Sequence, residues 1–229
     1  MKSYDVFLFD ADGTLFDFNL AEATAFRRVY ESYGFECSEK IITRYSKIND
    51  NLWKTFETGA ITIEGIKTQR FIRLFDELGI MCDAYDFNDK YVVELAKGAF
   101  LIDGAKEICD KITSLNKAIY IVTNGITQVQ KTRLSKSLIK DHISDCFISE
   151  QIGFQKPDKR YFEFVFSQIP QISKDRIVLV GDSLTADIAG GINAGIDTCW
   201  LNKNRTENQS SLRPTYEINK LSELEQFVY

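Results

Sequence analysis

Five short apolar runs punctuate the chain, at residues 4–9 (YDVFLF), 118–122 (AIYIV), 146–149 (CFIS), 177–180 (IVLV) and 198–201 (TCWL). Each is too short for a helix and lacks strict alternation, the pattern of strands covered on both faces. Helical spacings separate the later ones. Ala105, Ile108, Cys109 and Ile112 fall at i, i+3, i+4 and i+7, as do Phe162, Val165, Phe166 and Ile169. Strands alternating with helices predict an α/β fold with a parallel sheet.

The interval between the first and second runs breaks that rhythm. Residues 18–98 contain no strand pattern, and the stretch is far too long for a simple connection. Phe26, Val29, Tyr30 and Tyr33 stand at helical spacing, as do Phe71, Leu74, Phe75 and Leu78, and again Val92, Leu95, Ala96 and Ala99. The reading is an all-helical domain at 18–98 inserted into a core formed by 1–17 and 99–229. The 229 residues suffice for one core domain and such an insert.

Polar clusters follow the ends of the strands. Asp10, Asp12, Gly13 and Thr14 follow the first, Thr123-Asn124-Gly125 the second, Lys156-Pro157 lies in the loop after the third, and Asp182 with Asp187 in GDSLTAD follows the fourth. Open parallel sheets bind ligands outside the carboxyl ends of their strands, so the four clusters can converge. Asp10, Asp12 and Asp182 brought together repel, at about 4 kcal/mol per pair at 4 Å and an effective dielectric of 20. Such a cluster calls for a cation, and oxygen donors of this kind suit Mg²⁺. A metal, Lys156, the Thr123 hydroxyl, Asn124 and the N–H groups of glycine turns such as Gly125 make a site for a phosphoryl group. Pro157 is expected at the first position of a helix, whose dipole would add to the charge of Lys156. In an extended segment Asp10 and Asp12 point the same way. One can attack phosphorus while the other protonates the leaving oxygen.

Other chemistries fit poorly. Aligning Gly13 with the glycine of a calcium loop puts Leu8 and Asn19 at the first and last ligands, which fails. His142 is the only histidine, the five cysteines contain no C-x-x-C, and neither zinc nor a disulfide framework is expected. The net charge of −5 argues against a nucleic-acid polymer as partner. No apolar stretch approaches the roughly 18 residues of a membrane span, and the first apolar run is too short for a secretory signal. A cytoplasmic, monomeric protein with reduced thiols is expected. Asp17 reads as the cap of the first inserted helix. Asp187 and Ser183 read as supports of the site rather than ligands.

DADGT, TNG, KP and GDSLTAD, in that order, resemble the four motifs of the haloacid dehalogenase superfamily. The resemblance spans the chain. It implies a Rossmann-like, three-layer core, a helical cap inserted after the first motif, and Mg²⁺. It implies Asp10 as nucleophile, Asp12 as acid/base and donor of a main-chain carbonyl to the metal, Thr123 and Lys156 as phosphoryl stabilisers, and Asp182 as metal ligand. Dehalogenases of the superfamily lack the second aspartate, because a halide needs no proton, so Asp12 favours phosphoesters. NDNLWKTFETGAITIEGIKTQRF and GGINAGIDTCWLN look like the pyrimidine 5′-nucleotidase branch, whose substrates are nucleoside monophosphates. Phe16, Asn49, Trp53 and Arg70 are the candidates for contact with the nucleoside. A sugar-phosphate phosphatase, a phosphomutase and a phospho-aspartate signalling switch are the alternatives.

Overall fold

The computed structural model describes residues 2–229. Six parallel strands form one sheet in the order β3-β2-β1-β4-β5-β6. They are β1 (Val6–Phe9), β2 (Ala118–Thr123), β3 (Ile143–Ile148), β4 (Ile177–Gly181), β5 (Asp197–Leu201) and β6 (Tyr216–Ile218). The four residues of β1 alternate between two cores. Phe7 and Phe9 face a layer with Ile108, Ile112, Leu221 and Phe227, while Val6 and Leu8 face one with Tyr161, Phe162 and Val165. The sheet is therefore covered on both sides, which explains the unalternating apolar runs. This is the three-layer, Rossmann-like arrangement expected.

Some limits differ from expectation. The third strand starts earlier than the apolar run, at Ile143, because Ser144 and Asp145 are exposed polar residues at the sheet edge, and Ser149 opens the short helix α7 (Ser149–Ile152). β6 is a three-residue edge strand with no apolar run to reveal it.

Four helices fill the interval after β1: α1 (Phe18–Ser32), α2 (Glu39–Glu57), α3 (Ile63–Leu78) and α4 (Ala84–Leu95). Asp17 caps α1, its carboxylate accepting from the Leu20 N–H at 3.0 Å. The four helices enclose a core rich in aromatics. Phe26 stacks on Tyr45 with centroids 4.5 Å apart, and Tyr45 on Phe71 at 5.2 Å. Each fully buried aromatic contributes about 2–3 kcal/mol. The two chain crossings between helical bundle and sheet lie side by side, since Asp17 N–H donates to Phe100 O at 2.9 Å and Ile102 N–H to Leu15 O at 3.0 Å.

The remaining helices flank the sheet: α5 (Ala105–Ser114), α6 (Thr127–Lys136), α8 (Lys159–Gln168) and α9 (Ala189–Ala194), the last entered through a π turn at Leu184–Ile188. Among the described residues no helix is long and apolar enough to cross a membrane. All five cysteines are free thiols.

Candidate active site

The strand order reverses between β1 and β4, and the loops leaving these strands separate there. A cleft of about 410 Å³ opens at this point, roofed by α1 and α2. Asp10, Asp12, Gly13, Thr123, Asn124, Gly125, Lys156, Asp182, Ser183 and Asp187 all line it. The four strand-end clusters do converge.

Lys156 is 1% exposed, and its ammonium is saturated. It donates to Asp10 Oδ1 at 2.6 Å, Asp187 Oδ1 at 2.7 Å and the Val122 carbonyl at 2.7 Å. Burial pulls its pKa down, but the carboxylates of Asp10 and Asp187 outweigh this and raise it. It stays a cation. Asp10 is pressed towards protonation by burial, a pressure that Lys156 opposes and that Asp187 and Asp182 reinforce. Asp187 uses its second oxygen to accept the Ser183 N–H at 3.0 Å, so both its oxygens are bonded within the protein.

Carboxylate oxygens of Asp10, Asp182 and Asp187 lie within 4.8 Å of one another. Burial, then the neighbouring Asp187, pushes Asp182 up to about 6, with Lys203 opposing. Three carboxylates facing one buried ammonium form a hard-oxygen set with excess negative charge, the donor chemistry of a divalent cation. Two glycines make room for it. Gly13, at φ +81°, is where a Cβ would strike the Asp182 carboxylate, and a Cβ on Gly181 would strike that of Asp187. Trp200 fixes the Asp182 backbone, its indole N–H donating to the Asp182 carbonyl at 2.9 Å.

Thr123 is buried at the end of β2 and its hydroxyl accepts the Gly125 N–H at 3.0 Å. Asn124 has a different task from the one expected of its side chain. Its amide donates to Lys156 O and accepts from Lys156 N, both at 2.9 Å, clasping the loop that carries the lysine. The helix after this loop begins at Lys159 with Asp158 as its cap, whose side chain accepts the Arg160 N–H. Pro157 is therefore outside the helix, joined to Lys156 by a cis peptide bond. The charge of Lys156 is set by its carboxylate partners and not by the dipole of this helix.

Asp12 is held by two residues that the strand-end pattern did not reveal. Its Oδ2 accepts from Gln130 Nε2 at 2.5 Å, and its Oδ1 pairs with Arg133 Nη1. Both partners are on α6.

On the helical side Phe18, Asn19, Asp50, Trp53, Lys54 and Glu57 line the cleft. Asp50, Trp53, Lys54 and Glu57 stand at i, i+3, i+4 and i+7, one face of α2. Of the four candidates for nucleoside contact, only Trp53 is there. Phe16 is buried in the sheet core beneath Arg133. Asn49 donates to Glu22 at 2.8 Å, and Arg70 to Asn88 at 2.6 Å, inside the helical bundle. Asn49 and Arg70 thus each satisfy another buried polar group, Glu22 and Asn88, instead of facing a ligand. Lys203, past β5, was also missed. It lines the cleft, and its ammonium donates to the Gly13 carbonyl at 2.6 Å.

The profile of the haloacid dehalogenase-like hydrolases matches residues 4–195. The chain belongs to this family. The HAD-hydrolase YfnB of Bacillus subtilis is 43% identical over 226 residues, covering 98% of this chain and 95% of that one. Its crystal structure, bound to magnesium, superposes with a TM-score of 0.92 over 99% of both chains. The pyrimidine 5′-nucleotidase PynA of Streptococcus pneumoniae is 37% identical, covering 96% of this chain and 93% of its own. The pyrimidine 5′-nucleotidase YjjG of Escherichia coli is 32% identical over 98% of both. The protein is thus a family hydrolase whose motif residues share one cleft.

Proposed function

We propose that this hydrolase is a Mg²⁺-dependent phosphomonoesterase acting through an aspartyl-phosphate, with pyrimidine nucleoside 5′-monophosphates as substrates. The observation that carries the reading is Asp12 in the same cleft as Asp10 and the buried Lys156. An attacking carboxylate, a fixed cation and a second carboxyl suit an ester whose leaving group needs a proton. The two nucleotidase relatives support the choice of ester.

Asp10 and Asp182, with the Asp12 main-chain carbonyl, would hold the metal, which would neutralise charge on the transferring phosphoryl group. Lys156 orients Asp10 through Oδ1 and offers positive charge to the phosphoryl oxygens, with the Thr123 hydroxyl and the N–H groups around Gly125 as further donors. A carboxylate oxygen of Asp10 attacks phosphorus. As the P–O ester bond breaks, Asp12 gives its proton to the leaving oxygen. Asp12 then takes a proton from water, whose oxygen attacks the phosphorus of the aspartyl-phosphate and releases phosphate and free Asp10. The bundle roofs the cleft and keeps bulk water from that intermediate. Trp53 offers the one aromatic surface of α2 on the cleft, suited to a nucleobase.

The test is phosphate release from nucleoside monophosphates and sugar phosphates, with Mg²⁺ and with chelator. Chelator-sensitive release strongest on pyrimidine monophosphates is expected. Preference for sugar phosphates would discard the nucleotide assignment, and no release from any ester would discard the phosphatase.

A further inference from the structure

Arg133 is 0% exposed, yet an arginine is always charged. Burying such a group costs several kcal/mol unless it is paired, and an apolar residue would serve packing better. Its carboxylate partner is Asp12. Its guanidinium also lies over the Phe16 ring, 5.3 Å from the centroid, which fixes its plane. Nε and Nη2 have no partner among the described residues, so the group is committed to Asp12 through one nitrogen. Gln130, one turn earlier on the same face of α6, is 3% exposed and bonds the other oxygen of Asp12. Gly125 completes the arrangement, since a Cβ there would strike Gln130 Nε2. Two side chains of the segment after β2 thus converge on one carboxyl, and a third position, Gly125, leaves room for one of them. That carboxyl remains 25% exposed, on the cleft.

We infer that Gln130 and Arg133 are positioning residues for proton transfer by Asp12. With one donor on each oxygen, both side-chain torsions of Asp12 are fixed and its carboxyl is presented to the leaving oxygen. The inference rests on the phosphomonoesterase reading above. A merely structural role, tying α6 to the loop after β1, would affect every substrate alike. In the step that forms the aspartyl-phosphate, a positioning role affects only substrates whose leaving group needs a proton; the hydrolysis that follows is common to all, so the discriminating quantity is kcat/KM, which reports the first step.

The experiment compares a nucleoside 5′-monophosphate, which leaves as an alcohol, with 2,4-dinitrophenyl phosphate, which leaves as a stable anion. Arg133→Met is expected to lower kcat/KM on the nucleotide by roughly 10²-fold and on the dinitrophenyl ester by less than about threefold. Gln130→Met, which removes no charge, shows the same selectivity at smaller size and serves if Arg133→Met fails to fold. In an Asp12→Ala background neither change lowers nucleotide turnover further. Equal losses on both esters, an undiminished loss in the Asp12→Ala background, or a gain on the nucleotide would each overturn the inference. If the wild type cleaves another alkyl phosphate but no nucleotide, the substrate assignment fails and the same comparison with that ester still decides the positioning role. A wild type that cleaves only the dinitrophenyl ester overturns both.

Discussion

Glu57 in the last turn of α2 accepts a hydrogen bond from the Thr185 hydroxyl, past β4, at 2.5 Å. The bond crosses from helical bundle to sheet. Lys67 on α3 and Glu150 on α7 form a second crossing at 2.9 Å. Glu57→Ala removes the first and should loosen the bundle's seat over the cleft. Small-angle scattering is expected to show a larger radius of gyration, and the end of α2 to exchange amide hydrogens faster. Unchanged values would mean the bond does not hold the two parts together.

Asp10→Asn keeps the shape of the side chain and removes the proposed nucleophile. Turnover should fall to background, while Mg²⁺ still binds through the remaining oxygen donors. Calorimetric titration with Mg²⁺ checks the second part, and phosphate release the first. Substantial activity in this variant would refute the covalent step.

Glu22 is 2% exposed inside the helical bundle, where burial pushes its carboxyl up to about 7 against the hydrogen bonds of Ser46 and Asn49. The ordinary value is 4.5, so the folded state binds the extra proton between those pH values. Stability therefore falls as pH rises from about 4.5 to about 7, by on the order of 3 kcal/mol from this group, and levels off above. Glu22→Gln should flatten that slope and melt higher than wild type at pH 8. Parallel Tm–pH curves for the two proteins would refute the assignment.

Trp53 and Arg70 should separate cleanly. Trp53→Ala takes an aromatic face from the cleft and should raise KM for a nucleoside monophosphate about tenfold with little change in Tm. Arg70→Ala empties a site walled by Tyr91, whose ring lies 4.5 Å away, and should cost on the order of 3 kcal/mol in stability while KM holds. The reverse pattern would restore Arg70 as a substrate contact.

The motif residues were legible because parallel strands dictate where a pocket forms, and Asp10, Thr123, Lys156 and Asp182 each stand at or beyond the end of a strand. Helices in the interval after β1 were legible from its apolar spacing. Gln130 and Arg133 were not, because the buried positions of α6 are Val129, Gln130 and Arg133, and a buried face made of polar groups leaves no hydrophobic period. Asn49 and Arg70 misled for the same reason in reverse. β6 was too short to register, and Lys203 lies in a wholly polar run after β5, where nothing sets one lysine apart from its neighbours.

Gly13, Gly125 and Gly181 each mark the place where a polar side chain passes, those of Asp182, Gln130 and Asp187 respectively, the first from far along the chain and the other two from the next turn of structure. Each pair behaves as a key and its slot. Among relatives, a slot that gains a methyl group should gain it only together with a shorter or rotated key, so the two positions should vary jointly or stay fixed jointly. A designer grafting this chemistry onto another sheet would have to transplant the slots along with the acids.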